Sequence, residues 1–219
     1  MSVRDNYKAL QEEIAGIALR SGRKPEEITL VAATKYADAS ALKELYEAGC
    51  RDFGETRLQA ALAKIPVLPS DIRWHFIGTL QSNKAAKAAQ NFFLIHSVDS
   101  VELAQKLAEI GTKRGSVVPI LLQVNASFEA AKHGFTFEEC REVFDRLHEL
   151  PGIEIRGLMA MAALTEDEKA VRACFSRLRA LRDTLNLAEL SMGMSQDFRI
   201  AIEEGATILR IGTLIFKPC

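Results

Sequence analysis

Eight short apolar runs, separated by segments of helical period, recur along the whole chain and leave few architectures open to it. The runs are ITLVAATK (28–35), RDFGE (51–55), RWHFIG (73–78), FFLIHSV (92–98), VVPILLQVN (117–125), IEIRGLMAM (153–161), ELSMG (189–193) and ATILRIGT (206–213). Near-continuous apolar runs are the mark of strands buried on both faces of a parallel sheet. Apolar spacing predicts helices over 40–49, 56–65, 83–90, 99–115, 136–150, 166–185 and 195–205, with one more over 4–22 ahead of the first strand. Gly49 reads as a helix stop, and Ser82 and Ser195 as N-caps. Eight β/α units in 219 residues predict an α/β fold, a single (β/α)8 TIM barrel over 1–219 with an extra N-terminal helix. A doubly wound open sheet is the alternative, weakened because no G-x-G-x-x-G follows the first strand.

Composition narrows the function classes. With 28 basic and 29 acidic residues the net charge is −1, which offers no basic face for nucleic acid. No apolar run approaches the ~20 residues of a membrane span, and the opening MSVRDNYKALQEE has no apolar signal core. Cys50, Cys140, Cys174 and Cys219 form no CxxC pair and read as free thiols of a reducing cytoplasm. No Cys/His spacing predicts a metal site. No long apolar surface stripe demands a partner, so a monomer is expected.

Three segments carry candidate chemistry. Lys35 closes the first strand, on the face of Val31 and Ala33. It sits at the C-terminal strand end, where barrel active sites form. A desolvated lysine there loses its proton readily and attacks carbonyls to form a Schiff base. The loop Ser191-Met192-Gly193-Met194-Ser195 follows the seventh strand. Gly193 permits close backbone approach, and a helix start at Ser195 would favour an anion. Arg210-Ile211-Gly212-Thr213 closes the eighth strand, and barrels often bind phosphate after strands seven and eight. A lysine, two small-residue loops and an arginine are the parts needed to hold a phosphate-bearing aldehyde such as pyridoxal 5'-phosphate (PLP).

Each candidate has a plainer reading. Lys35 could end a strand at the surface, and Arg210 could sit in a salt bridge with Glu203, Glu204 or Glu55. His75 and His96 read as structural histidines. Gln81, Asn83 and Lys84 read as capping and solvated groups, and Lys132 as a loop lysine that could add positive potential at the mouth.

Several motifs in order resemble one known family. AATK, FGET, WHFIGTLQSNK, IHSVDS, QVNASFEAAKHG, GLMAM, LSMGMSQDF and ILRIGTLIF are similar to those of the pyridoxal phosphate homeostasis proteins, over about residues 8–216. The resemblance implies an alanine-racemase-like barrel with PLP at its C-terminal rim. It implies that Lys35 forms the internal aldimine, that Ser191, Gly212 and Thr213 contact phosphate with Met192, Gly193 and Ser195 in the same loop, and that Arg210 faces the pyridine nitrogen. The chain departs from the family at Thr56-Arg57, where Asn-Tyr is common, at Ala37, where a second lysine is common, and at its Lys217-Pro218-Cys219 end.

An arginine at the ring nitrogen keeps that nitrogen unprotonated and weakens the electron sink that PLP enzymes use. Racemases with the same arginine add a second domain and a tyrosine base, for which this chain is expected to have no room. The reading is therefore a non-catalytic protein of intracellular PLP homeostasis, which buffers PLP or delivers it to transient acceptor enzymes. The rivals are a racemase-like enzyme of narrow activity, a PLP-independent Schiff-base aldolase, and an interaction module that uses PLP as a signal.

Overall fold

The computed structural model describes residues 2–126, 133–163 and 165–216. Lys132 and the 217–219 end lie outside the described residues. Eight parallel strands close into a barrel in sequence order. They are β1 Thr29–Ala33, β2 Asp52–Glu55, β3 Arg73–Phe76, β4 Leu94–Val98, β5 Val118–Gln123, β6 Ile153–Met159, β7 Glu189–Ser191 and β8 Ile208–Ile211. The helices are α1 Val3–Arg20, α2 Ala39–Glu47, α3 Leu58–Lys64, α4 Ala85–Asn91, α5 Val101–Arg114, α6 Phe137–His148, α7 Glu168–Thr184, α8 Phe198–Glu203 and α9 Thr213–Phe216.

All eight predicted strands form, but most are shorter than the apolar runs. Lys35, Gly193 and Thr213 fall outside them, because strand ladders stop where the barrel rim opens into loops. Thr213 starts a short helix that the sequence pattern did not signal. Ser82 does not cap α4: it opens a 3-10 turn, Ser82–Lys84, and α4 begins at Ala85 without a side-chain cap. Elsewhere capping is conventional. Ser2 with Asp5 and Thr136 with Glu139 form capping boxes at α1 and α6, and Gly115 ends α5 at φ 63°.

The core has two shells. Trp74, Phe76, Ile95 and their like point outward from the strands into the layer beneath the helices. Val31, Leu94, Leu121, Met159 and Ile208 fill the barrel interior. The extra helix α1 packs against α2, α8 and α9, covering the seam where β8 meets β1. Asn6 Nδ2 donates to Ile215 O at 3.1 Å, and the Arg4 amide to Glu44 Oε1 at 3.0 Å, fastening α1 across that seam.

Candidate functional site

Barrel closure joins the two ends of the chain. β1 pairs with β8, with Val31 opposite Arg210 and Ala32 opposite Ile211. The turn that carries Lys35 therefore adjoins the loop that carries Gly212 and Thr213. A Cβ on Gly212 would lie 2.8 Å from the Ala33 carbonyl oxygen, so only glycine allows this close approach of the two backbones.

Lys35 sits in a solvent-facing turn just past β1, closed by the Ala37 amide donating to Thr34 O at 3.1 Å. The expected desolvation is not seen, because the side chain leaves from beyond the last strand residue instead of from inside the barrel. Its Nζ lies 4.7 Å from the Tyr36 ring centroid. The hydrogen bond and charge of Lys35 hold the exposed Tyr36 phenol below its usual pKa. Behind the turn, Thr34 is buried and fixed: its amide donates to Gly54 O at 2.9 Å and its hydroxyl to Glu55 Oε1 at 2.8 Å. Lys64 of α3 donates to Thr34 O at 2.9 Å and pairs with the buried Glu55 carboxylate. The lysine is thus exposed at its tip and anchored at its root.

Arg210 is buried inside the barrel. Its Nη1 donates to Ser191 Oγ at 2.6 Å and its Nη2 to Ala160 O at 3.0 Å. Burial lowers its pKa to about 10, against the opposing charge of Asp197, so it stays a cation at neutral pH. It makes no ion pair with Glu203, Glu204 or Glu55. The first two bond Arg172 at 2.5 and 3.0 Å on the outer face of α8, while the pleat turns Arg210 inward. A guanidinium has five N–H donors, of which these two bonds engage two.

In the β7 loop, Ser191 is buried with its hydroxyl on Arg210, and Met192 points away into the outer core. Gly193 adopts φ +95°, and a Cβ there would come within 2.6 Å of the Ala201 Cβ; the glycine is needed to seat α8 against the loop. Ser195 is not an N-cap. The turn is closed by Asp197 Oδ1, which accepts from the Met194 amide at 2.6 Å, and α8 starts only at Phe198. Gly212 O accepts the amides of Ile215 and Phe216 at 3.0 Å each, and Thr213 is the exposed first residue of α9. The first N–H groups of such a turn lack intrahelical partners.

Sequence reasoning missed Asp197 and Asp52 and placed His75 and His96 without a partner. A signal existed: alternation in RWHFIG and FFLIHSV, with Trp74 and Phe76 outward, sends both histidines inward.

A sequence profile described as the alanine racemase N-terminal domain matches residues 5–218. The Pyridoxal phosphate homeostasis protein of Pseudomonas aeruginosa is 41% identical over 218 residues, covering 98% of this chain and 95% of that one. The chain belongs to the pyridoxal phosphate homeostasis protein family. A solved member, PipY of Synechococcus elongatus with PLP bound, has a TM-score of 0.85 and 36% identity, and is covered at 100% with 99% of this chain. Alanine racemase from Bartonella henselae shares the fold at a TM-score of 0.76 and 17% identity, with this chain spanning 58% of it. The strand order thus shows a closed barrel in place of the open sheet, and both solved structures share that fold with this chain.

Proposed function

We propose that this chain binds PLP at the C-terminal mouth of its barrel and acts in intracellular PLP homeostasis, as a cytoplasmic, monomeric single-domain holder that passes the cofactor to transient acceptor enzymes. The observation that carries the reading is the β1–β8 pairing, which sets a solvent-reachable lysine beside a glycine-dependent loop and above a buried guanidinium. Full-length kinship with a relative solved with PLP bound supports it.

The residues present fit the group. Lys35 supplies the amine for covalent attachment. The backbone around Gly212 and Thr213, with Gly193 and Ser195 opposite and Ser191 and Met192 forming the base of that loop, would receive the phosphate. Arg210 presents donors to the ring nitrogen. Bound PLP supplies an electrophilic aldehyde and an electron sink. A permanently charged guanidinium leaves the ring nitrogen unprotonated, which suits storage over turnover. No described helix is long and apolar enough to cross a membrane.

Lys35→Ala is expected to abolish covalent PLP attachment while leaving the fold intact. Absorption before and after borohydride reduction, followed by peptide mapping, checks this; PLP still fixed to the variant would overturn the assignment of Lys35. Amino-acid turnover by the wild type that is lost in Lys35→Ala would favour a racemase-like enzyme.

A further inference from the structure

A chain of buried polar groups crosses the barrel from its N-terminal mouth to Arg210. At the far end, Asp52 accepts from Arg73 Nε at 2.7 Å and Nη2 at 2.5 Å. His75 Nε2 lies 3.0 Å from Asp52 Oδ1. His75 Nδ1 is 2.9 Å from His96 Nε2, and His96 Nδ1 is 2.8 Å from Ser191 Oγ. Ser191 in turn accepts from Arg210.

The hydrogens in this chain can be placed from the Asp52 end. Asp52 is an acceptor-only carboxylate fixed by Arg73, so His75 carries its hydrogen on Nε2 and gives it to Asp52. With His75 neutral, its Nδ1 accepts, so His96 carries its hydrogen on Nε2 and gives it to His75. With His96 neutral, its Nδ1 accepts, and Ser191 Oγ turns its own hydrogen to it while accepting from Arg210, which only donates. Every polar contact along the line is then satisfied with both imidazoles neutral. Burial favours that neutral state at both histidines.

We propose that Asp52, His75 and His96 are positioning residues that orient Arg210 toward the cofactor ring from the opposite mouth of the barrel. The inference rests on the reading of Arg210 given above. Its physical basis is that a buried cation without a contacting carboxylate keeps a fixed direction only if its acceptors are themselves fixed. Ser191 has one hydroxyl hydrogen, and His96 decides where it points. The line ends at a cavity of about 320 Å³ lined by Asp52, Arg73, His75, Glu27 and Glu189. A perturbation made there, remote from the cofactor, reaches Ser191 and Arg210 through the successive reversal of the hydrogen-bond directions along the line.

Two measurements test it. Side-chain 15N NMR of the cofactor-free wild type at neutral pH should show His75 and His96 both as neutral Nε2–H tautomers; an Nδ1–H tautomer or an imidazolium at either overturns the ladder. The visible spectrum and its pH titration are then compared for PLP-loaded wild type, Asp52→Asn and His96→Phe. A displaced maximum or titration midpoint in the variants, with PLP still covalently bound, is expected. Bound PLP with a spectrum and midpoint identical to wild type in the folded variants overturns the positioning role. If His96→Phe does not fold, Asp52→Asn and the wild-type tautomers decide. A wild type that takes up no PLP would instead overturn the proposed function and leave the tautomer result to judge the ladder.

Discussion

Gly212 shows how much one missing side chain can decide. Its backbone φ is not in the left-handed region, so conformational freedom is not the reason for glycine here; the Ala33 carbonyl oxygen at 2.8 Å from an added Cβ is. A backbone oxygen inside a paired strand cannot swing aside as a side-chain tip can. Gly212→Ala should therefore force β1 and the β8 loop apart, at a cost of about 1–3 kcal/mol as for overpacking elsewhere. Urea unfolding measures it, and an unchanged midpoint would show that the seam yields freely. The residue types at this rim were readable from the sequence. What Gly193 and Ser195 do there was not. Gly193 serves the packing of α8, and the turn is closed by Asp197, because side-chain reach across a turn depends on where the following helix begins.

At the scale of elements, the root of the Lys35 turn is held by α3 through one ion pair. The Glu55 side chain is 1% exposed and that of Lys64 19%, so the pair is largely dry. Removing one partner leaves an uncompensated charge, which in buried pairs costs about 3–5 kcal/mol; the partial exposure of Lys64 brings the expectation to about 2–3 kcal/mol for Lys64→Met. Adding Glu55→Gln should recover much of that loss, since no bare charge then remains. A double-mutant cycle by urea unfolding checks it, and simple additivity would show that the two charges do not interact. The existence of every strand was legible, since all eight follow the apolar runs. Element ends were less so. Apolar character continues past the last ladder hydrogen bond at the rim, and the short α9 has too few turns for a periodic pattern.

For the molecule as a whole, the buried polar line makes stability depend on pH. Burial holds His96 well below the ordinary 6.5 and lowers His75 as well. As pH falls below about 6.5 the unfolded chain takes up protons that the folded chain refuses. Stability is then at its plateau above about 6.5 and declines from there toward the depressed folded values, by up to about 1.4 kcal/mol per pH unit per histidine. Asp52 acts in a separate, more acid window. Burial alone would raise its carboxyl, but hydrogen bonds from His75 and Arg73 outweigh burial and hold it below 3.8. The stability it lends is lost only as pH falls through that lowered value. Urea midpoints at about pH 7.5 and about pH 5.5 should differ in wild type and differ less in His96→Phe. A flat profile would mean that the histidines are charged in the fold.

By itself the sequence determined the succession of β and α units, a parallel sheet with a closed barrel as its first reading, and a lysine close after the first strand. These depend on local period and on the count of units, which are written into the order of residues. Only the tertiary structure decided that Arg210 would rest on Ser191 instead of on a glutamate, and that two histidines read as structural would link it to Asp52. Alternation along a strand says which side chains point inward. The stagger between strands says which of them meet at hydrogen-bond distance, and that stagger is set only when the whole barrel closes.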